Sequence, residues 1–188
     1  MSTIVGSIRA EYLRYKTLAE GAIDQLDDGD LARADTSGSN SIAVLCWHIS
    51  GNLKSRFTDF LSSDGEKPWR DREEEFNARN VSRGELLEKW NGGWKVLLDT
   101  LSALTDDDLR KTVTIRQQPL IVHEALHRSL SHTVYHVGQI VYIAKGLRGE
   151  AWNSLSIPRG QSATYNQAPK YETAAAQQAA LASRIKPK

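Results

Sequence analysis

The chain has 188 residues, and its 24 Lys and Arg residues nearly balance its 23 Asp and Glu residues, which gives a formal net charge of +1. This balance argues against binding along a nucleic-acid backbone, and no apolar run approaches the ~20 residues of a membrane-spanning helix. The single cysteine excludes an internal disulfide framework, and the length favours one domain over residues 1–188, so we expect a soluble cytoplasmic protein.

Apolar side chains that recur at steps of three and four residues predict four long helices. A capping box of Ser82 and Glu85 indicates one helix start, and Gly146 indicates one helix end. The predicted bounds are about 3–25, then 40 or 41 to about 62, then from 82 onward, and finally about 121–145. The polar run from Asp35 to Asn40 predicts a loop between the first two helices.

Strand periodicity is confined to residues 112–115 and the residues from Pro119 onward, which predict one small extended pair. Gly92 and Gly93 inside the third helix cost roughly 1 kcal/mol each relative to alanine, so we interpret them as a close contact between helices. Long helices joined by loops predict an all-α four-helix bundle over about residues 3–146. Residues 147–188 then form an irregular C-terminal extension with a short terminal helix rich in alanine and glutamine.

The fourth predicted helix carries two pairs of histidines at a spacing of four residues, His123 with His127 and His132 with His136. Residues four apart lie on one face of a helix, and neutral imidazole is the commonest protein ligand for transition metals. Each pair therefore offers two metal ligands. The two pairs fall on opposite flanks of the apolar stripe of the helix, and their spacing alone does not choose between them.

A third ligand is available from His48, in the middle of the second predicted helix. Metal sites in bundles are built from inward side chains of facing helices, so His48 can meet one of the pairs if the two helices are neighbours. Three histidines would leave open coordination positions, as in catalytic sites. Asn52 and Arg56 follow His48 at four-residue steps, which makes them candidates for contacts to the ligands or to a substrate.

Two segments carry a resemblance to a known family. The segment Cys46-Trp47-His48-Ile49-Ser50-Gly51-Asn52 places an asparagine four residues after a histidine. The segment His132-Thr133-Val134-Tyr135-His136-Val137-Gly138-Gln139 places a histidine pair before a Gly-Gln step. With the order and spacing of the helices over about residues 3–167, these segments resemble the DinB-like superfamily. Residues 64–72 and 156–160 resemble a functionally uncharacterised branch of it.

The resemblance implies an up-down-down-up bundle that binds a divalent metal ion, often zinc or nickel, through three histidines. By position these ligands are His48, His132 and His136. The pair His123 and His127 lies outside the pattern, and we interpret it as structural or surface. Characterised relatives include transferases and isomerases that use low-molecular-weight thiols such as bacillithiol or mycothiol, and dimers are frequent. We therefore expect a divalent metal, a low-molecular-weight thiol, a small-molecule substrate and a homodimer.

The primary functional hypothesis is a metal-dependent thiol S-transferase that acts on a small electrophilic molecule. One alternative is a metal-dependent hydrolase, although no acidic residue stands at a spacing that marks it as a general base. Another alternative, from a different class, is a non-catalytic metal- or ligand-binding stress protein. All three share the metal site and differ in what binds on its open side.

Further residues are candidates for contacts beyond the metal ligands. Gln139 follows the histidine pair, and Arg159 is a candidate contact to an anionic substrate. Trp69 and Arg70 together are candidates for a lid over the metal. A role for Arg159 would place the C-terminal extension over the site. Cys46 points roughly 200° away from His48 on a helix, and we interpret it as a buried apolar side chain.

Overall fold

The computed structural model describes residues 3–34 and 38–185, so residues 35–37 of the predicted loop lie outside the described part of the chain. Its elements are α1 (Ile4–Asp24), α2 (Asp28–Leu31), α3 (Ile42–Phe57), α4 (Arg83–Ala103), β1 (Thr112–Ile115), β2 (Gln118–Ile121), α5 (Val122–Arg148), α6 (Ser162–Gln167) and α7 (Ala174–Ala182). The four predicted helices correspond to α1, α3, α4 and α5, which confirms the all-α prediction. No helix within 3–34 and 38–185 combines the length and apolar content that a bilayer crossing requires.

Helices α3 and α4 are parallel neighbours. The hydroxyl of Ser50 donates to the carbonyl of Lys89 at 2.5 Å. Further along both helices, the hydroxyl of Thr100 donates to the carbonyl of Phe57 at 3.0 Å. Both helices therefore run in the same direction, and the chain must return along the bundle between them, which requires the long connection of residues 58–82.

Helix α1 is antiparallel to α4 and parallel to α5. At the start of α4, the Arg83 guanidinium donates to the carbonyls of Ile23 and Leu26 near the end of α1, at 3.0 and 2.6 Å. Gln25, just after α1, exchanges hydrogen bonds of 3.0 and 2.8 Å with the backbone of Asn153, just after α5. Helices α1 and α5 therefore end at the same end of the bundle, and the up-down-down-up arrangement is confirmed.

One aromatic cluster at the centre of the core joins the four long helices. The ring of Tyr12 on α1 packs edge-on against Trp94 of α4 and Phe57 of α3, with ring centroids 6.2 and 6.5 Å apart. Its hydroxyl donates to the carbonyl of Leu126 on α5 at 3.3 Å. Tyr12 and Trp94 are fully buried, so their large apolar areas contribute strongly to the stability of the bundle.

Two predicted helix ends differ from the structure. Helix α3 ends at Phe57 rather than near residue 62, because Asp59 adopts a left-handed conformation with φ +49° that no helix accommodates. Helix α5 continues through Gly146 and ends at Arg148, because the positive φ of +56° that breaks the helix belongs to Gly149. A glycine does end the helix, as predicted, but it is Gly149 and not Gly146.

The strands β1 and β2 confirm the predicted extended pair and form an antiparallel hairpin. Its two turn residues, Arg116 and Gln117, both have positive φ, +54° and +61°, as a tight hairpin turn requires. The carboxylate of Asp64, in the connection between α3 and α4, accepts their backbone N–H groups at 2.8 and 2.7 Å. This contact fixes the hairpin to the connection and holds the Arg116 backbone in its left-handed conformation.

The C-terminal extension packs along α1. Gln177 and Gln178 of α7 contact Arg14 and Thr17 of α1 at 3.1 and 3.4 Å. Leu181 is 7% exposed and provides the apolar part of this contact. The extension therefore covers the outer face of α1, which would otherwise present apolar side chains to solvent.

Of the two adjacent glycines in α4, only one lies at a close contact with α3. A Cβ added at Gly93 would lie 2.6 Å from the Cα of Ser50 on α3, whereas a Cβ added at Gly92 meets nothing within 4 Å. The close-contact interpretation therefore holds for Gly93 alone.

We expect opposite effects from alanine at these two adjacent positions. Gly93→Ala should lower the free energy of unfolding by about 1–3 kcal/mol because it overpacks the α3–α4 contact. Gly92→Ala should raise it by up to about 1 kcal/mol because alanine favours the helix. Urea denaturation of the two variants measures both changes, and an unchanged or raised stability for Gly93→Ala would contradict the contact.

Candidate metal centre

Three histidines from two helices meet inside the bundle. His48 lies in the middle of α3, which starts at an N-cap where Ser41 accepts the backbone N–H of Val44. His132 and His136 lie one turn apart on α5. His48 and His136 are 3% and 8% exposed, so their polar nitrogens need partners within the protein or a bound ligand.

The three side chains converge through their Nε2 atoms. The Nε2 atom of His132 lies 3.1 Å from that of His48 and 3.2 Å from that of His136. One ligand atom from each of the three histidines lies within 4.8 Å of the others. Two nitrogens bound to one ion at about 2.0–2.1 Å lie about 2.8–3.4 Å apart at octahedral or tetrahedral angles. The spacings of 3.1 and 3.2 Å from His132 to the other two ligands therefore fit a shared divalent cation.

The Nδ1 atoms of two of these rings have acceptors that fix the tautomer. His48 Nδ1 donates to the Glu75 carboxylate at 2.9 Å, and His136 Nδ1 donates to the Gln139 side-chain oxygen at 3.0 Å. A carboxylate only accepts hydrogen bonds, so the proton of neutral His48 resides on Nδ1. Both rings therefore present an Nε2 lone pair to the cluster, as ligation requires.

Glu75 is the residue that the sequence did not reveal. It lies in a short 3-10 helix, Glu74–Phe76, within the connection between α3 and α4, and its side chain is 6% exposed. Arg70 binds its carboxylate through two hydrogen bonds of 2.8 and 2.9 Å. Burial raises the pKa of Glu75, but the hydrogen bonds from Arg70 and His48 outweigh burial and hold the pKa below its ordinary value. Glu75 therefore stays ionised and orients the His48 ring.

Gly51 makes room for this carboxylate. A Cβ added at Gly51 would overlap the Glu75 side chain, with its Cδ at 2.6 Å. The ring of Phe76 covers the His48 ring on the same side, with centroids 4.5 Å apart. The glycine between His48 and Asn52 thus has a structural reason, and it was the available sequence signal for a group that approaches α3 closely.

Burial keeps the pair on α5 neutral. It lowers the pKa of His132 to about 3, with further lowering from the nearby His136 and His48 and from two arginines. Burial also lowers the pKa of His136, and this effect outweighs the hydrogen bond to Gln139, which acts to raise it. Neutral imidazole is the form that binds metal, so a cation does not compete with protons for these two rings near neutral pH.

The cluster opens onto a cavity of about 270 Å³. Asn52 and Arg56, both predicted from the four-residue steps after His48, line this cavity. Gln139 lies behind the cluster and contacts His136 instead. Aromatic side chains of Phe57, Phe60 and Phe76 form the apolar part of the wall.

Two other predicted residues lie away from the cavity. Of the two predicted lid residues, Trp69 is 53% exposed and its ring lies 5.8 Å from the Nζ atom of Lys54, so it forms no lid. Arg70 turns inward, with a side chain that is only 2% exposed. Arg159 is exposed in the C-terminal extension, which packs on α1 and contributes no residue to the cavity wall. The prediction that the C-terminal extension covers the site is therefore wrong. The extension instead buries the apolar surface on the outer face of α1.

The second histidine pair is separate from the cluster. His123 Nδ1 donates to the carbonyl of Leu109 at 3.3 Å, at the start of α5. His127 is exposed. Cys46 is fully buried, and burial raises the pKa of its thiol far above the ordinary value, so it is an apolar core side chain rather than a nucleophile.

Removing the charge of Glu75 is expected to weaken metal binding. The Glu75→Gln variant keeps the volume but loses the ionised acceptor for His48 Nδ1, and such changes weaken metal affinity about 10- to 100-fold. Glu74→Gln is the matched control, because the Glu74 side chain is 53% exposed and contacts Arg79. Competition with a zinc-binding dye measures both affinities in protein whose fold is verified by circular dichroism. Equal affinities of the two variants would contradict the role of Glu75.

Acidification is expected to destabilise the metal-free protein. The pKa of His132 is about 3 in the folded protein and returns to ~6.5 in the unfolded chain. Between these values only the unfolded chain binds the proton, so the free energy of unfolding falls as the pH drops from about 6.5 towards 3. Urea denaturation at about pH 7 and about pH 5 measures the loss, which should be smaller in His132→Gln. An equal loss in both proteins would show that His132 ionises normally.

Comparisons with known proteins agree with this fold. The family described as "Protein of unknown function (DUF1572)" matches residues 2–161. Among solved structures, a DinB-like protein from Bacillus cereus ATCC 10987 superposes with a TM-score of 0.60 at 18% identity, covering 81% of this chain and 98% of that chain. No protein with a curated description matches the chain. The chain therefore belongs to the DUF1572 family and has the DinB-like helical fold.

Proposed function

We propose that this protein is a metal-dependent enzyme that transfers the sulfur of a low-molecular-weight thiol to a small electrophilic molecule. The observation that carries the proposal is the convergence of three histidines at the wall of a cavity, with one ligand atom of each within 4.8 Å of the others. His48, His132 and His136 would hold the ion, with zinc or nickel as the expected metals.

A divalent ion held by three neutral imidazoles keeps open positions, at which it can bind a thiol as thiolate or lower the pKa of a water molecule. The protein residues supply the fixed geometry. Glu75 and Gln139 hold the rings of His48 and His136 in their ligating tautomer, and Phe76 covers the His48 ring from the connection side. In the overall reaction a sulfur–carbon bond forms, the leaving group departs with its bonding electrons, and the thiol proton passes to solvent.

The wall of the cavity favours thiol transfer over hydrolysis. A hydrolase needs a base that can accept a proton from water. Among the described residues, no aspartate or glutamate lines the cavity, and the nearby Glu75 is fully engaged by Arg70 and His48. A thiol that binds the ion is deprotonated outright, whereas a bound water titrates at about pH 7 and gains more from a neighbouring base. Homodimer formation and a cytoplasmic location stay predictions.

The ligand assignment is tested by single substitutions of histidine. We expect His48→Ala, His132→Ala and His136→Ala to remove most bound metal, because two imidazoles hold an ion far more weakly than three. His127→Ala is the control, because His127 is exposed on the same helix as two of the ligands. Metal content by plasma mass spectrometry, on protein purified without an affinity tag, gives the result. Full occupancy in His132→Ala would overturn the assignment.

The reaction class is tested with the zinc- and nickel-loaded protein. A thiol and the fluorogenic electrophile monobromobimane should conjugate faster than without protein, and the acceleration should be absent in His132→Ala. Hydrolysis of ester or amide panels without added thiol would instead support the hydrolase. Metal binding without turnover in either assay would support a non-catalytic binding protein.

A further inference from the structure

The wall of the cavity carries an excess of positive charge. Five arginines from α3, the α3–α4 connection, the hairpin and α5 line it: Arg56, Arg70, Arg72, Arg116 and Arg128. Three carboxylates pair with the five guanidinium groups, namely Glu66, Glu73 and Glu75, so the guanidinium groups outnumber their carboxylate partners by two. We call this set of five side chains the arginine wall.

Arg70 has a buried nitrogen that the protein leaves without an acceptor. Its side chain is only 2% exposed, and its Nε and Nη2 atoms bind Glu75. The Nη1 atom is buried and makes no hydrogen bond to any residue that the structure describes. Its contact with Glu66 is 3.8 Å, which is too long for a hydrogen bond. An unsatisfied buried donor is costly, and a ligand oxygen in the cavity would satisfy it.

Arg128 is available to a ligand as well. It lies on α5 one turn before His132, so both side chains project from the same face of the helix. Within 3–34 and 38–185, the structure gives Arg128 no ion pair or hydrogen bond, and it lines the same cavity as the histidine cluster. A guanidinium held over a cavity without a carboxylate partner is suited to bind an anion that enters it.

Contacts with the protein fix the positions of Arg56 and Arg116 at the cavity wall. Arg116 and Arg56 both bind the Glu66 carboxylate, at 2.8 and 3.2 Å. Arg56 also donates to the carbonyl of Gly65. The Arg116 backbone is fixed in the hairpin turn by Asp64. These contacts reduce the conformational freedom that the guanidinium groups would otherwise lose on binding.

We propose that the arginine wall is an oxyanion-binding subsite beside the histidine cluster, and that the substrate is a small molecule with a carboxylate or phosphate group. The subsite itself needs only an anion that binds. That this anion is a reactant rests on the proposed function. Guanidinium groups pair with carboxylate and phosphate in the same two-point manner, so the chemistry of the wall is common to both. The phenylalanines that line the same cavity accept the apolar part of the molecule.

Electrostatics and size both restrict the ligand. A metal ion bound to the histidines would add to the excess positive charge of the arginine wall. Both would attract an anionic ligand and repel a cationic one. The volume of about 270 Å³ accommodates a small molecule. It does not accommodate a polymer chain, which agrees with the net charge of only +1 over the whole protein.

The proposal is tested with two thiols of matched size and different charge. Titration of the cobalt(II)-loaded protein with 3-mercaptopropionate and with 3-mercapto-1-propanol is followed through the sulfur-to-cobalt absorption band. We expect the anionic thiol to bind at least about tenfold more tightly, because a charge-assisted hydrogen bond contributes about that much. Arg128→Gln should reduce this ratio severalfold, because it weakens the anionic thiol more than the neutral one.

Two further variants make the result specific. Arg72→Gln should act as Arg128→Gln does, because Arg72 lines the cavity and its side chain is 49% exposed, so its replacement does not disturb the core. Arg110→Gln removes one positive charge from a side chain that is 84% exposed and lies outside the cavity wall, and it should leave the ratio unchanged. Equal affinities for the two thiols, or an unchanged ratio in both cavity variants, would overturn the proposal.

A second arm separates this proposal from the proposed function. Succinate and inorganic phosphate, which contain no sulfur, are titrated calorimetrically into the cobalt-loaded protein and into its Arg128→Gln variant. If neither thiol gives the absorption band but one of these anions binds and the variant weakens it, the thiol chemistry fails and the subsite stands. If the band forms and neither anion binds, the subsite fails and the thiol chemistry stands. The tighter anion identifies the favoured oxyanion group.

Discussion

The hydrogen bond between Glu75 and His48 is the interaction on which the candidate site depends. It fixes the His48 tautomer, and it requires a buried carboxylate whose charge must in turn be balanced. Arg70 provides that balance with two hydrogen bonds, and its side chain also lines the cavity. A single buried chain of contacts, Arg70 to Glu75 to His48, therefore ties the α3–α4 connection to both the metal ligands and the wall of the substrate cavity.

Much of the bundle follows from periodicity in the sequence. Steps of three and four residues locate α1, α3, α4 and α5, since each helix must bury an apolar stripe. The same rule places His132 and His136 on one face of α5. Their convergence with His48 does not follow from periodicity, because it depends on how α3 packs against α5, and His48 and His132 are 84 residues apart in sequence. The family resemblance supplies that step.

Glu75 could not be found in the same way. It lies in a charged, irregular segment where neighbours in sequence have no fixed relation in space, and nothing in its spacing differs from that of Glu73 or Glu74. Both Trp69 and Arg70 are predicted lid residues, yet only Arg70 turns inward, because spacing in an irregular segment does not determine which side chains face the interior. The sequence of the C-terminal extension likewise does not determine which helix it packs against, so the predicted cover of the site is wrong. Its short helix α7 instead covers α1, where apolar area was available to bury.

The central claim is that three imidazole nitrogens hold one divalent ion. X-ray absorption fine structure, measured at the edge of the ion that copurifies with the untagged protein, tests this most directly. The account predicts a shell that contains about three nitrogens at about 2.0–2.1 Å, with the outer scattering of imidazole rings. A first shell without imidazole scattering, or a protein that retains no divalent ion when zinc and nickel are supplied, would contradict it.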